Sequence, residues 1–185
     1  LLGALDFLES RGVSRSGIGV HGFSLGGTVA LTTCAASGVA GAVVADSAFA
    51  DLWDTIRANS KDFKRPTVWF HPGMDVLARW MFGINIEDVS PVRSVEGSRT
   101  PLFIIHGADD DMVPVEDARL IRDAAMSDDE GAPVAVNAAS GARTVRGSLS
   151  PLSPGAARTV ETWIAPGAGH VQAYHTHREE YVRRV

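Results

Sequence analysis

One serine in the chain has neighbours that could make it a nucleophile. Ser24 lies in Gly22-Phe-Ser-Leu-Gly26, between a short apolar run and a segment of small residues with helical character. A sharp strand-to-helix turn of this kind exposes the serine hydroxyl, and we expect side chains at positions 22 and 26 to collide across it. The N–H groups that open the helix, Leu25 among them, would stabilise developing negative charge. The alternative interpretation is a glycine-rich turn with an idle serine.

A serine hydroxyl is a poor nucleophile without a base, and six histidines compete for that role. His170 lies in Gly167-Ala-Gly-His just after an apolar run, which predicts a loop at the carboxyl edge of a sheet, where Ser24 also lies. We expect His106 to bond the backbone of a turn, and His21 to be buried beside Ser24. The other three histidines fall in an aromatic-rich stretch or in the last predicted helix: His71, His175 and His177.

The base in turn needs a carboxylate that fixes its tautomer and stabilises its charged form. Three adjacent candidates, Asp109, Asp110 and Asp111, follow the third apolar run, and spacing alone does not choose among them. The alternative for this segment is a solvated acidic turn. Asp46, directly after the second apolar run, is a fourth candidate, for which we favour a turn or cap residue bonded to the backbone.

These residues must be positioned by strands and helices that alternate along the chain. The predicted strands are 17–23, 40–45, 101–105 and 160–164, and the predicted helices are 1–10, 25–36, 115–126 and 172–185. The strands are continuously apolar, as expected when both faces of a sheet are covered. The pattern therefore predicts an α/β fold with a parallel sheet.

Two stretches interrupt this alternation. Residues 51–90 carry several aromatic side chains and are interpreted as a small helical cap insertion. Aromatic residues of the cap could line an acyl pocket or simply pack the cap onto the domain. The candidates for the pocket are Phe23, Trp69, Trp80 and Phe82. Residues 127–158 are rich in glycine, proline and serine and lack aromatic residues, which predicts a disordered insertion.

Composition excludes several classes of protein. The 185 residues are 45% apolar and carry a net charge of −5, without the basic stripe that nucleic-acid binding requires. Residues 22–45 are uncharged, but their glycines favour helix, turn and strand over a membrane span. Cys34 is expected to be a buried, inert thiol. A metal site of His170, His175 and His177 is disfavoured because residues two apart on a helix face different directions, so no metal or cofactor is expected.

Four motifs together resemble the C-terminal part of bacterial α/β-hydrolases of the esterase and prolyl-oligopeptidase-like group. The motifs lie at residues 22–27, 45–52, 106–114 and 167–170. The resemblance implies that Ser24 is the nucleophile, Asp110 the acid and His170 the base, in the chain order of that family. It also implies that the N–H of Leu25 supplies half of the oxyanion hole.

The resemblance implies a partial three-layer α/β-hydrolase sandwich with four consecutive parallel strands. Four further strands and the loop with the second oxyanion donor are then expected upstream of Leu1, together with any targeting signal. The strand before Ser24 would be a bare edge, so we expect residues 1–185 alone to be poorly active. The compartment stays open, with the cytoplasm favoured.

The function implied is hydrolysis of carboxylic esters through an acyl-enzyme intermediate. One alternative is a serine peptidase of the prolyl-oligopeptidase-like group, and another is a non-catalytic hydrolase-fold binding domain. The expected partner is a small-molecule ester or peptide substrate, with no nucleic acid and no membrane span. The oligomeric state stays open.

Overall fold

The computed structural model describes residues 1–35, 37–59, 76, 79–81, 89–127 and 159–185. Most of the predicted cap, residues 51–90, and nearly all of the predicted insertion, residues 127–158, lie outside the described residues. Both interpretations therefore stay predictions.

A four-stranded parallel sheet forms the centre of the described structure. Its strands are β1 (Gly19–Phe23), β2 (Ala42–Asp46), β3 (Leu102–Gly107) and β4 (Val160–Ala165), and they lie side by side in chain order. All three pairings are parallel. The parallel sheet, its four strands and their order as consecutive neighbours are therefore confirmed, with bounds that differ from the predicted ones by at most two residues.

Seven α-helices with assigned bounds flank the sheet in the described residues. They are α1 (Leu2–Ser10), α2 (Leu25–Ala30), α3 (Leu52–Asn59), α4 (Pro91–Val95), α5 (Val115–Met126), α6 (Ala173–Thr176) and α7 (Arg178–Arg184). None of the helices in the described ranges is long and apolar enough to cross a membrane.

Two predicted helices are interrupted. The helix predicted over 25–36 is α-helical only to Ala30 and continues as a π-helix over Leu31–Ala35. Here the Thr32 hydroxyl donates to the carbonyl of Thr28 at 2.9 Å, which is the acceptor that an α-helix would offer to the backbone N–H. The helix predicted over 172–185 divides at His177, whose backbone angles of φ −133° and ψ 53° are not helical.

The sheet separates two apolar layers, because successive side chains of a strand point to opposite faces. On one face Val43, Ala45 and Ile104 pack against residues of α1, α2 and α5. On the other face Ile105 and Ala165 pack with Tyr181 of α7. This arrangement is the three-layer sandwich that the resemblance implies.

Coverage of the sheet is uneven. Strand β3 is buried at five of its six positions, whereas Gly19, His21 and Phe23 of β1 are exposed. The expectation that every strand is covered on both faces is therefore wrong for β1. The physical reason is that β1 lies at an edge, with a described neighbour on one side only.

Candidate active site

Ser24 occupies the turn between β1 and α2. Its backbone angles, φ 49° and ψ −119°, lie in a region that non-glycine residues rarely adopt. Two backbone hydrogen bonds hold it there: its N–H donates to the carbonyl of Asp46 at 2.8 Å, and its carbonyl accepts from the N–H of Thr28 at 3.1 Å. Leu25 follows as the first residue of α2, where backbone N–H groups have no intrahelical acceptor.

The glycines around this turn have unequal roles. A Cβ on Gly22 would collide with the carbonyl group of Gly26 and would lie 2.6 Å from the nitrogen of Gly27. A Cβ on Gly26 would meet nothing within 4 Å, so the expected collision from position 26 is wrong. The tight second position is Gly27, where a Cβ would lie 3.1 Å from the Gly22 oxygen and 3.2 Å from the Ala48 side chain.

Of the three adjacent aspartates, Asp110 alone turns inward. Its side chain is 0% exposed, whereas Asp109 and Asp111 are exposed. Its Oδ1 accepts hydrogen bonds from the N–H groups of Met112 at 3.0 Å and Val113 at 2.9 Å. These bonds stabilise the carboxylate and fix its direction. Asp110 therefore has the burial and the fixed orientation that distinguish it from its neighbours.

His106, fully buried at the end of β3, lies behind this acid. Its Nε2 donates to the carbonyl of Val113 at 3.0 Å, as expected of a histidine that bonds the backbone of the turn. The same nitrogen lies 3.4 Å from Oδ2 of Asp110. The proximity to Asp110 was not predicted from the sequence, although the two residues are only four positions apart.

His170 connects Asp110 to Ser24. Its Nδ1 donates to Oδ2 of Asp110 at 2.8 Å, and its Nε2 lies 3.0 Å from Oγ of Ser24, from which it accepts a hydrogen bond. The imidazole is mostly buried, with 16% of the side chain exposed. The three side chains that the resemblance implies are thus in one continuous hydrogen-bond chain.

Backbone contacts bind the loop of the acid to the loop of the base. The N–H of Asp109 donates to the carbonyl of Ala168 at 2.9 Å, and the N–H of Ala108 donates to that of Ala165 at 2.9 Å. Gly107 lies so close that a Cβ there would collide with the Ala168 carbonyl. The distance from Asp110 to His170 therefore depends on backbone as well as on side chains.

The remaining histidines lie elsewhere. His21 is exposed, so the expectation that it is buried is wrong, because the edge strand β1 leaves this side chain open to solvent. His175 is exposed, and His177 packs locally by donating from Nε2 to the carbonyl of Pro166 at 2.6 Å. His71 lies outside the described residues. No group of three His, Cys, Asp or Glu side chains able to hold a metal ion occurs within the described ranges.

Asp46 has partners that the sequence did not suggest. Its buried carboxylate accepts from the Ser47 hydroxyl at 3.0 Å and from the Tyr181 hydroxyl at 2.8 Å. The preference for a side chain bonded to backbone is therefore wrong. The Tyr181 hydroxyl is contributed from 135 residues further along the chain.

Cys34, by contrast, is buried as expected, and burial raises the pKa of its thiol.

The residues suggested for a substrate pocket are only partly described. Phe23, next to the nucleophile candidate, is 45% exposed, and its ring centroid lies 4.4 Å from that of His21. Trp80 is 82% exposed. Trp69 and Phe82 lie outside the described residues. Pocket lining by these four side chains stays a prediction.

The chain belongs to the prolyl oligopeptidase family, whose profile matches residues 1–144. The matched region contains Ser24 and Asp110, while His170 lies beyond it. Uncharacterized protein YqkD of Bacillus subtilis (strain 168) is 28% identical over 114 residues, which are 60% of this chain and 37% of that protein.

Solved structures similar to this chain have the α/β-hydrolase fold, and so does the described part of this chain. An esterase of Pyrococcus furiosus shares 22% identity and a TM-score of 0.54, over 90% of this chain and 50% of its own. A puromycin hydrolase is 18% identical with a TM-score of 0.60, over 98% of this chain and 22% of its own. An acylaminoacyl peptidase of Pyrococcus horikoshii is 15% identical with a TM-score of 0.57, over 97% of this chain and 24% of its own. The chain thus spans half or less of the length of each of these four relatives.

The unequal glycines lead to a prediction on stability. Gly22→Ala should lower the free energy of unfolding by about 1–3 kcal/mol, the usual cost of overpacking, because the new Cβ meets rigid backbone of Gly26. Gly26→Ala is the matched control and should keep or slightly raise stability, since alanine favours a helix over glycine by about 1 kcal/mol. Urea unfolding measures both, and equal losses would contradict a collision from position 22 alone.

Proposed function

We propose that the protein is a serine hydrolase that cleaves carboxylic esters through an acyl-enzyme intermediate. The observation that carries the proposal is the continuous hydrogen-bond chain from Oγ of Ser24 through both ring nitrogens of His170 to the buried carboxylate of Asp110. An imidazole bonded in this way keeps its proton on Nδ1 and leaves Nε2 free to accept the serine proton. Membership of the prolyl oligopeptidase family supports the same chemistry.

Acylation begins when Oγ of Ser24 attacks the ester carbonyl carbon and Nε2 of His170 takes the hydroxyl proton. The electron pair of the carbonyl π bond moves to its oxygen, to which the backbone N–H of Leu25 donates. The tetrahedral intermediate then collapses, and the bond to the alcohol breaks. The leaving alcohol takes the proton from His170, which returns to its neutral form.

Deacylation repeats these steps with water. His170 takes a proton from a water molecule, whose oxygen attacks the acyl carbon and displaces Oγ of Ser24. The proton returns to Ser24 and the carboxylic acid departs. Asp110 stays ionised throughout, and its role is to hold the imidazole in one orientation and to stabilise its charged form.

A second candidate function is hydrolysis of peptides by the same residues. The specific observation that favours it is the match to a family of prolyl oligopeptidases. The proton that His170 returns would then go to a leaving amine instead of an alcohol. Both functions require the same nucleophile, so substrate preference is what separates them.

A substrate panel tests the proposed function. The full-length protein should hydrolyse p-nitrophenyl esters of short carboxylic acids and should turn over peptidyl p-nitroanilides slowly, without gain from a longer peptide. Ser24→Ala should lower ester turnover by several orders of magnitude, because the nucleophile is removed. Ser16→Ala, at an exposed serine, is the matched control and should keep parent activity.

Two outcomes of this panel would contradict the proposal in different ways. Anilide turnover that exceeds ester turnover and rises with peptide length would assign the protein to peptide hydrolysis. Ester turnover that survives in Ser24→Ala would mean that another group is the nucleophile, whatever the substrate.

A second prediction concerns the three neighbouring aspartates. Asp110→Asn should lower kcat by roughly 10,000-fold, because an amide facing Nδ1 of His170 favours the wrong tautomer. Asp109→Asn and Asp111→Asn should change kcat by no more than a few fold, since both side chains are exposed. Steady-state kinetics on the preferred ester measure all three. Similar losses at all three positions would show that the charge of the loop matters rather than one carboxylate.

A further inference from the structure

A second buried hydrogen-bond chain lies beside the candidate triad. It centres on Asp46, the last residue of β2, which is 0% exposed. Its two carboxylate oxygens accept from different hydroxyls, Oδ1 from Ser47 and Oδ2 from Tyr181. A buried carboxylate is tolerated only with such partners, so the positions of these hydroxyls are tightly constrained.

The part of this hydrogen-bond chain at Tyr181 connects β1, β2 and α7. Burial and the hydrogen bond to Asp46 raise the pKa of the Tyr181 hydroxyl, so it stays a neutral donor. Its oxygen also accepts from Nε2 of His21 at 2.9 Å. Although His21 is exposed overall, partial desolvation of its ring lowers its pKa and favours the neutral form. The proton of that ring lies on Nε2, because the Tyr181 hydroxyl donates its own proton to Asp46. Oδ2 of Asp46 is thereby fixed by the Tyr181 hydroxyl, which His21 in turn orients.

The side of the chain at Ser47 reaches the loop of the base. Because its hydroxyl proton is donated to Asp46, the oxygen of Ser47 presents its lone pairs to the backbone, and it accepts from the N–H of Val171 at 3.1 Å. Val171 directly follows His170. This hydrogen bond is therefore one residue away from the imidazole.

The backbone at both ends of this hydrogen bond is strained. Val171 has φ 57° and Ser47 has φ 54°. Positive φ is a genuine outlier for a β-branched residue such as valine, and it persists only where the surroundings enforce it. The bond from the Val171 N–H to Ser47 is such a restraint, so its loss would let the peptide after His170 relax toward ordinary angles.

We propose that Ser47, oriented by Asp46, is a positioning residue for the base His170. The inference rests on the proposed function and adds a determinant of its geometry. The backbone carbonyl of Asp46 also accepts a hydrogen bond from the N–H of Ser24 at 2.8 Å. The pair Asp46 and Ser47 thus holds the loop of the nucleophile with one group and the loop of the base with another.

The test is the effect of Ser47→Ala on the ester kinetics of the full-length protein. We expect kcat to fall roughly 10- to 100-fold with KM nearly unchanged, because a small displacement of the base costs turnover rather than binding. Ser94→Ala is the matched control: this serine of α4 is also buried, and its hydroxyl donates at 2.8 Å to the carbonyl of Ser90, the residue that precedes α4. The kcat of Ser94→Ala should equal that of the parent protein.

Ser47→Gly keeps the test valid if the alanine variant folds poorly. Glycine adopts φ 54° without strain, so this variant loses the hydroxyl and keeps the backbone. The same fall in kcat is expected. Parent kcat in a folded Ser47→Gly or Ser47→Ala protein would overturn the inference.

A double-mutant cycle separates positioning from a general structural effect. If Ser47 acts through the imidazole, Ser47→Ala should not lower the residual activity of His170→Ala any further. A full additional loss in that background would overturn the inference. Ester turnover that persists in Ser24→Ala would instead overturn the proposed function, so the two failures are distinguishable.

Discussion

The candidate site depends on four parallel strands that end at one edge of one sheet. The pairings place Phe23 opposite Asp46, Asp46 opposite Ile105 and Gly107 opposite Ala165. The loops that follow these strand ends then lie side by side, which brings together side chains 146 residues apart in the chain. The pairing of the four strands, rather than any local motif, brings these loops together.

The loops at this edge are held by backbone contacts as well as by side chains. Ser24 has a positive φ, which costs about 1–3 kcal/mol. Its two backbone hydrogen bonds offset this with about 0.5–1.5 kcal/mol each. The loops of Asp110 and His170 share two further backbone bonds and a close approach at Gly107. The loop that carries His170 is therefore held in place by the protein's own contacts.

Much of this architecture could be predicted from local patterns. Apolar runs and glycines indicate strands and turns where residues close in sequence determine the local structure. The sheet and the turn at Ser24 are of this kind and were predicted. The bonds of Asp46 were not, because its partner Tyr181 is 135 residues away and leaves no local signal. The exposure of His21 and the open space beside Gly26 were also missed, since burial at a sheet edge and the direction of a Cβ depend on tertiary structure.

Locating the residue that reacts with an organophosphonate fluoride is the most direct test of the central claim that Ser24 is the nucleophile activated by His170. The full-length protein would be inactivated, digested and mapped by tandem mass spectrometry. We expect one phosphonyl group per chain, on Ser24, with ester turnover lost in proportion to labelling. An adduct on another residue, or full turnover with Ser24 labelled, would contradict it.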